Sequence, residues 1–253
     1  MLKFTAIGDC CVDVYPQFNQ EFLGGSAFNV CLTAQKLKVA STLISAVGTD
    51  SWGKKYISTL KIPKFISIIT GKTSHVDINL DQHHSPVFSA WQLGVLKKFK
   101  LNSDHQEFLL TQTATHCTAI KPLKSILNQF VKMPLPGVFK SADFDGNTPY
   151  TFNNATLTKY APAFDLIATS RPVNLKHKML LITMGKQGSR IITPQKTYFE
   201  PALKTKPTDT TGAGDAYLAT FIIKYLQTKD IQKSMFLATQ AASRKITRLG
   251  ASS

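Results

Sequence analysis

The chain has 253 residues, of which 43% are hydrophobic and 18% charged. This length suits one large α/β domain with a small appendage, and the composition is typical of a globular protein. No apolar run approaches the roughly 18 residues that cross a membrane, and the N-terminus enters a strand pattern with no signal peptide. The four cysteines have no Cys-x-x-Cys spacing, which argues against a zinc or redox motif. We therefore expect a cytoplasmic protein with reduced cysteines and no membrane partner.

The formal net charge of +15 is the one unusual bulk property. Basic proteins bind phosphate backbones, so a nucleic acid partner is the first alternative to consider. The lysines, however, are scattered in pairs such as Lys54-Lys55 and Lys97-Lys98, and no RNA- or DNA-binding motif accompanies them. We do not expect nucleic acid binding, because small anionic ligands account equally well for the charge.

Taken in chain order, the predicted elements alternate between strands and helices. Strands are predicted over residues 2–7, 42–47, 113–117, 138–144, 164–169 and 179–183, with a hairpin over 189–199. Helices are predicted after Ser26, taken as an N-cap, near Trp52, and over residues 103–110, 121–131, 152–160 and 231–246. This alternation predicts a mostly parallel sheet covered on both faces. Residues 66–69, 75–80 and 87–91 are predicted strands of a small sheet that projects from the main body.

A glycine-rich segment, Asp209-Thr210-Thr211-Gly212-Ala213-Gly214-Asp215, runs straight into an apolar stretch of helix length. The glycines therefore lie at a helix N-terminus, where backbone N–H groups and the helix dipole favour an anion. Asp215 falls in the first turn, where a carboxylate could take a proton from a hydroxyl that attacks phosphorus. The alternative is a turn whose aspartate only complements the helix dipole.

Two other polar or glycine-rich segments follow predicted strands. Asp13 comes after the first strand and could accept hydrogen bonds from two hydroxyl groups. Gly24-Gly25, followed by Asn29, allows close backbone approach to a ligand and offers an amide. Because ligands gather at the carboxyl ends of parallel strands, one cleft is expected to hold these residues together with the Gly212 loop.

The order Asp-Thr-x-Gly-Ala-Gly-Asp resembles the C-terminal signature of the PfkB, or ribokinase, family of carbohydrate and nucleoside kinases. Gly24-Gly25 with Asn29 resembles the family's Gly-Gly-x-x-x-Asn signature, and Leu181-Ile182-Thr183-Met184-Gly185-Lys186-Gln187-Gly188-Ser189 resembles its strand and turn beside the nucleotide. The resemblance implies an α/β fold, the ribokinase-like three-layer sandwich, with a mostly parallel central sheet and helices on both faces. It also implies a single kinase domain over residues 1–253, with a small β lid built from about residues 11–23 and 64–98.

The same resemblance implies an ATP-dependent kinase that uses Mg²⁺ and phosphorylates a primary hydroxyl of a small-molecule sugar. Asp215 would act as the base, and the N–H groups of Gly212, Ala213 and Gly214 would hold the transferring phosphoryl group. The residues implied for the acceptor are Asp13, Gly24, Gly25 and Asn29, and those implied for the nucleotide are Thr183, Gly185, Gly188 and Thr211.

A narrower resemblance is to fructoselysine 6-kinases, which phosphorylate a sugar already joined to lysine. It rests on Ile7-Gly8-Asp9-Cys10-Cys11-Val12-Asp13-Val14-Tyr15-Pro16, on Val87-Phe88, on Asp143-Phe144-Asp145 and on Thr247-Arg248-Leu249-Gly250-Ala251. The implied acceptor is therefore a sugar-amine conjugate. A kinase for another acceptor, a ketose or a nucleoside, is the alternative.

The chain departs from the family at one place. Many members carry Asn-x-x-Glu after the strand before the nucleotide region, whereas Ser170-Arg171-Pro172-Val173 here contains no acid. Mg²⁺ would then be held mainly by the nucleotide and by Asp209 through water, or Arg171 would partly replace its charge. A kinase-derived binding or regulatory protein with impaired turnover stays open as an alternative. So does a homodimer formed through an exposed apolar face of the lid.

Overall fold

The computed structural model describes residues 1–61, 65–145 and 148–252. The strands are β1 (Lys3–Ile7), β2 (Cys11–Tyr15), β3 (Gln20–Phe22), β4 (Ala40–Gly48), β5 (Ile66–Ile69), β6 (Ser74–Leu80), β7 (Pro86–Gln92), β8 (Ala114–Thr118), β9 (Phe139–Asp143), β10 (Leu166–Thr169), β11 (Leu180–Thr183), β12 (Ser189–Ile192) and β13 (Thr197–Glu200). The helices are α1 (Ser26–Lys36), α2 (Ser51–Thr59), α3 (Ser103–Leu110), α4 (Lys124–Lys132), α5 (Asn154–Tyr160), α6 (Ala213–Thr228) and α7 (Ile231–Lys245).

Nine strands form the central sheet, in the order β13-β12-β11-β10-β9-β8-β1-β4-β5. Every neighbouring pair from β5 to β11 is parallel, and only β12 runs against its neighbours. The prediction of a mostly parallel sheet is therefore confirmed. The strand order reverses at β1, since β4 lies on one side of it and β8 on the other. In parallel sheets such a reversal opens a crevice for ligands at the carboxyl ends of the strands.

The sheet separates two hydrophobic cores. Successive side chains of a strand point to opposite faces, so Ala6 belongs to one core and its neighbour Ile7 to the other. Fully buried helix residues of the two cores include Val30 of α1, Phe221 of α6 and Met235 of α7 on one face, and Leu109 of α3 and Leu127 of α4 on the other. Helices thus cover both faces, which confirms the predicted three layers.

Six of the seven described helices begin in one of two ways, and the seventh, α4, begins after Leu123 without a side-chain cap. Asp50, Asn102, Asn153 and Asp230 each cap a helix by accepting a hydrogen bond from a backbone N–H of its first turn. By contrast, α1 and α6 begin directly after Gly25 and Gly212, whose φ angles of 96° and 76° are left-handed, and neither helix has a side-chain cap at that position. The predicted N-cap role of Ser26 is wrong, because Ser26 is the first helical residue and its side chain points elsewhere.

A second sheet of four strands, in the order β3-β2-β6-β7, lies beside the carboxyl ends of the central strands. Tyr15 and Ile78 are fully buried on its inner face, and Leu249 from the C-terminal segment packs against them. Strand β5 was predicted for this small sheet but pairs with β4 at the edge of the central sheet. A four-residue strand at the edge of either sheet has the same half-exposed pattern, so the sequence of β5 does not show to which sheet it belongs. Residue 64, the predicted start of the second lid segment, lies outside the described residues.

Phe221 in α6 provides a test of the packing. It is fully buried and its ring stacks on Tyr225, with the centroids 5.9 Å apart. We expect Phe221→Ala to lower the free energy of unfolding by about 3–5 kcal/mol, because the cavity cannot collapse within a packed sheet and helix layer. Urea denaturation measures this change. Phe236→Ala in α7, where the ring is 44% exposed, should change it by no more than about 0.5 kcal/mol. Equal losses in both variants would contradict the assignment of α6 to the core.

Candidate active site

One cavity of about 220 Å³ lies at the carboxyl ends of β1, β8 and β9, where the N-termini of α1 and α6 meet the small sheet. We call it the inner cavity. The predicted site residues that line it are Asp13, Gly25, Asn29, Thr211, Gly212, Gly214 and Asp215. Gly24 and Ala213 are their chain neighbours and do not line it, and neither do Asp209, Thr183, Gly185 and Gly188. The structure thus brings together most of the residues predicted for the acceptor and the phosphoryl group, but only Thr211 of those predicted for the nucleotide.

Asp215 is held by two side chains from the start of α1. Ser26 Oγ donates to Asp215 Oδ1 at 2.7 Å, and Asn29 Nδ2 donates to Asp215 Oδ2 at 2.8 Å. Burial raises the pKa of Asp215 to about 6, and these two hydrogen bonds act in the opposite direction by stabilising the carboxylate. The result is a partly buried, oriented carboxylate whose pKa lies near neutrality. Such a group can accept a proton from a bound hydroxyl.

Asp13 and Asn29 present unused acceptors to the inner cavity. In the described part of the chain, Asp13 Oδ2 and Asn29 Oδ1 have no hydrogen-bond partner although their side chains are 4% and 6% exposed. A Cβ on Gly24 would lie 2.3 Å from the Asp13 carboxylate, so only glycine leaves that carboxylate in place. Burial, with the nearby Asp9, Asp215 and Asp209 charges, raises the pKa of Asp13. Buried acceptors of this kind are satisfied when a ligand brings hydroxyl donors.

Asp9 was not predicted as a site residue, although it directly follows β1. Its carboxylate accepts hydrogen bonds from the backbone N–H groups of Ser26 and Ala27, each at 3.2 Å. Asp9 therefore performs from a distance the capping role that Gly25 leaves open at the start of α1. The signal available in the sequence was an aspartate at the end of a buried strand, which by itself does not reveal its partner helix.

Asp209 organises the Gly212 loop from within the protein. It is fully buried, and its two oxygens accept from Tyr15 OH at 2.7 Å, from Thr211 N at 2.8 Å and from Gly250 N at 2.8 Å. The Thr211 hydroxyl also donates to it. Because these bonds use both carboxylate oxygens, they leave little capacity for a water bound to Mg²⁺. Among the residues described, no group of three His, Cys, Asp or Glu side chains could hold a metal ion.

The wall opposite Asp215 combines acids with aromatic rings. Asp143 and Asp145 follow β9, and burial together with the Asp145 charge raises the pKa of Asp143 to about 7. Trp91 of β7 meets Tyr150 edge to face, with centroids 4.7 Å apart. The sequence motifs gave no signal for this aromatic pair, since its two members come from different layers. Together with Phe88, they make the far wall of the inner cavity apolar.

The predicted nucleotide turn lies beside α6. Met184 N donates to Gly188 O at 2.8 Å and Gly188 N donates to Gly185 O at 3.0 Å, which closes a tight turn after β11. Ser189, the next residue, shares a hydrogen bond of 2.7 Å with Tyr217 OH of α6. The turn is therefore fixed to the helix that begins at the Gly212 loop. Its role in nucleotide binding, with that of Thr183, stays a prediction.

The segment that lacks the family's acid follows β10. Arg171 Nε donates to Asn154 Oδ1 at 2.9 Å, and its backbone N–H donates to Thr169 Oγ1 at 3.3 Å. Arg171 lines a second depression, which we call the outer cleft and which adjoins the inner cavity at Thr148. Val173 stands where the resembled motif has its glutamate, and Arg171 lies two residues before it.

Comparison with known proteins points to the same part of the chain. The family model for pfkB family carbohydrate kinases matches residues 165–253, which include the Gly212 loop. The fructosamine kinase FrlD of Bacillus subtilis is 24% identical over 269 residues, which cover 99% of this chain and 93% of FrlD. The fructoselysine 6-kinase of Shigella flexneri is 25% identical over 268 residues, which cover 99% of this chain and 100% of that relative.

Solved structures extend the likeness to the whole fold. The nucleoside kinase of Methanocaldococcus jannaschii, a member of the ribokinase family, superposes with a TM-score of 0.81 at 22% identity, covering 100% of this chain and 94% of its own. An uncharacterized sugar kinase from Pyrococcus horikoshii, in complex with ATP, gives a TM-score of 0.81 at 20% identity, with 99% and 94% coverage. At these identities the similarity shows the fold, and the predicted ribokinase-like sandwich is confirmed.

The raised pKa of Asp215 has a consequence for stability. A carboxyl group whose pKa is higher in the folded state destabilises the fold where it is ionised, so the cost is present above about pH 6 and disappears toward pH 4. An asparagine at position 215 can accept a hydrogen bond from Asn29 and donate one to Ser26, and it carries no charge. We expect Asp215→Asn to raise the free energy of unfolding by about 1–2 kcal/mol at pH 8 and not at pH 4.

Urea denaturation at the two pH values measures this difference. The control is Asp104→Asn, which removes an exposed aspartate in the first turn of α3. It should not produce a gain at pH 8. A gain for Asp215→Asn that is equal at pH 8 and pH 4 would show that the carboxylate is not destabilised by its surroundings.

Proposed function

We propose a reaction for this chain on the premise that it carries a PfkB family carbohydrate kinase domain and is an ATP-dependent kinase of that family. The proposed reaction is phosphorylation of a primary hydroxyl of a sugar or a sugar-amine conjugate, as in a fructoselysine 6-kinase. The observation that carries this proposal is the position of Asp215 at the start of α6. Its carboxylate accepts hydrogen bonds from Ser26 and Asn29 of α1, at 2.7 and 2.8 Å. It faces the same cavity as the unused acceptors of Asp13 and Asn29.

The residues divide the work by position. Asp13 and Asn29 accept hydrogen bonds from hydroxyl groups of the acceptor, and Gly24 and Gly25 let it approach the backbone. Asp215 takes the proton of the primary hydroxyl as its oxygen bonds to the γ-phosphorus of ATP. The bond from that phosphorus to the β,γ-bridging oxygen breaks, and ADP leaves. The backbone N–H groups of residues 212–214 stabilise the charge on the transferring group.

Mg²⁺ is proposed to enter on the phosphates of ATP. The described side chains form no metal cluster, and the oxygens of Asp209 already accept hydrogen bonds from the protein. These side chains do not fit a Mg²⁺ ion held by the protein alone. Mg²⁺ commonly keeps several of its waters and binds through substrate phosphates. Thr183, Gly185, Gly188 and Thr211 are proposed to border the nucleotide.

The choice of a sugar-amine conjugate rests on two observations. Fructosamine and fructoselysine kinases are among the relatives that align over 99% of the chain. The inner cavity, at about 220 Å³, is below the roughly 300–1,000 Å³ of typical small-molecule sites. It therefore suits a sugar ring, while the rest of a longer acceptor extends beyond it. A ketose or a nucleoside is the alternative acceptor.

We also propose that residues 1–253 act as one kinase domain, with the small sheet as its lid. Val76, Phe88 and Trp91 from this sheet line the inner cavity, so its closure would exclude water and limit wasteful ATP hydrolysis. Phe18 and Val87 are exposed on the same sheet, which supports a homodimer through the lid. A cytoplasmic location is part of the proposal. Among the described helices, none has the length and apolar character to cross a membrane.

A second candidate is a kinase-derived binding protein with impaired turnover. The observation that favours it is Val173, an apolar residue at the position where the resembled Asn-x-x-Glu motif has its acid. The intact Asp215 contacts favour the enzyme, because a protein that only binds has no need of an oriented base. Turnover measurements separate the two.

The first experiment measures ADP release from ATP and Mg²⁺ with fructoselysine, fructose, ribose, adenosine or no acceptor. We expect acceptor-dependent turnover that is greatest with fructoselysine. Asp215→Asn should reduce kcat by at least about 1,000-fold while the Kd for ATP stays within about twofold, because it removes the base and keeps the anion site. Full turnover by Asp215→Asn would contradict the base role. Preference for ribose or adenosine would move the acceptor to the alternative class, and ATP binding without turnover would favour the impaired kinase.

The pH profile tests how Asp215 is positioned. Since the pKa of Asp215 is raised to about 6, kcat/KM should fall as the pH drops below about 6, where the base becomes protonated. Ser26→Ala removes a hydrogen bond that stabilises the carboxylate, so the acidic limb should move to higher pH. Ser58→Ala, which removes an exposed hydroxyl in α2, is the control and should leave the limb in place. An unchanged limb in Ser26→Ala would show that this bond does not tune the base.

A further inference from the structure

The outer cleft is a second depression of about 590 Å³ that adjoins the inner cavity. It is lined by Lys121, Lys124, Thr148, Thr151, Phe152, Asn153, Thr156 and Arg171. The loops that follow β8, β9 and β10 form it, so it lies on the same edge of the central sheet as the inner cavity.

The two depressions carry opposite charges. Five aspartates and no lysine, arginine or histidine are among the described residues that line the inner cavity. Three cations, Lys121, Lys124 and Arg171, and no acid are among those that line the outer cleft. In a chain with a net charge of +15, a basic patch alone would be unremarkable. The sorting of acids inward and cations outward, over a short distance, is what requires an explanation.

Thr148 joins the two depressions because it lines both. Its hydroxyl donates to Asp145 Oδ2 at 2.9 Å, which fixes the boundary between acids and cations. Lys121 Nζ donates to Pro149 O at 3.2 Å, and Arg171 Nε donates to Asn154 Oδ1 at 2.9 Å. Lys121 and Arg171 are therefore held at the walls of the cleft by protein contacts, while Lys124, the first residue of α4, is exposed.

A ligand that spans both depressions must match this charge pattern. An ammonium group is favoured beside Asp143 and Asp145 and disfavoured beside the lysines, while a carboxylate has the opposite preference. The two sites together therefore select a molecule that is cationic near the sugar and anionic farther out. A sugar joined through a secondary amine to the side chain of lysine has an ammonium group near the sugar and a carboxylate farther out, where the α-ammonium of the amino acid accompanies it.

We propose that Lys121 and Lys124, with Arg171, bind the carboxylate of the amino-acid part of the acceptor, while the linking ammonium group lies beside Asp143 and Asp145. This inference rests on the proposed function and adds to it a subsite for the distal end of the acceptor. The same cations could bind another oxyanion, the phosphates of ATP, and the experiment separates the two sources.

The test compares two acceptors that differ only in the carboxylate, fructoselysine and its decarboxylated analogue N-fructosyl-cadaverine. For the unmodified protein we expect kcat/KM to be about tenfold higher with fructoselysine, which is typical of a charge-assisted contact at a partly exposed site. In the double variant Lys121→Gln/Lys124→Gln the ratio of the two kcat/KM values should fall to about one, because the KM for fructoselysine rises. The KM for ATP should stay unchanged. Lys132→Gln, an exposed lysine at the end of α4, is the matched control and should keep the tenfold preference.

Two outcomes contradict the proposal. Equal kcat/KM for both acceptors in the unmodified protein would show that the carboxylate is not recognised. A rise in the KM for ATP by the same factor with both acceptors, in the double variant, would assign the cleft to the nucleotide. Thermal melting of each variant shows whether a change in KM reflects a change in folding.

Calorimetric titration of both acceptors, in the presence of a non-hydrolysable ATP analogue, tests the subsite without turnover. Tighter binding of fructoselysine that is lost in the double variant supports the subsite even if no phosphorylation is detected. In that case the proposed kinase activity fails and the subsite does not. If both acceptors are phosphorylated at equal rates and bind with equal affinities, the proposed kinase activity is supported and the subsite is contradicted.

Discussion

The site depends on the contact between Asp215 and the first turn of α1. Ser26 and Asn29 each donate to one oxygen of this carboxylate, and they are separated from it by 189 and 186 residues in the chain. The contact requires both helices to begin at the same point, and each begins after a glycine with positive φ. A side chain on Gly25 would collide with the carbonyl oxygen of Asp9. The geometry of Asp215 therefore depends on the strand order that places β1 between β8 and β4.

The charge of the chain is distributed in an unusual way. Although the net charge is +15, the inner cavity is lined by five aspartates, and burial raises the pKa of Asp9, Asp13, Asp143 and Asp215. Holding several carboxyl groups in one cavity opposes folding, since like charges repel and buried charges lose hydration. Sites that bind or react commonly accept such a loss of stability. The bulk charge consequently describes the outer surface and gives no information about the site.

The sequence predicted the architecture because local patterns determine it. Alternating strands and helices imply parallel pairing, and the bounds of α3 agree with the prediction because Asn102 and the apolar spacing mark its start and end. Asp215 and Asn29 were predicted from glycine motifs, which mark close backbone approach. Ser26 was misassigned because a serine before an apolar run is a common N-cap, and its distant partner cannot be seen locally. The pairing of Trp91 with Tyr150, from chain segments 59 residues apart, was equally inaccessible.

The bond from Gly250 N–H to Asp209 joins the glycine-rich loop to a segment that is synthesised later than the loop. Leu249 packs into the small sheet, and Ala251 lies against Gly212, so the glycine-rich loop is enclosed by residues 249–251. A ribosome adds these residues about forty positions after Asp209, when the loop itself has already been synthesised. Until they emerge, Asp209 lacks one of its donors and Gly212 lacks its neighbour. The glycine-rich turn can therefore be completed only after residues 249–251 have been added to the growing chain.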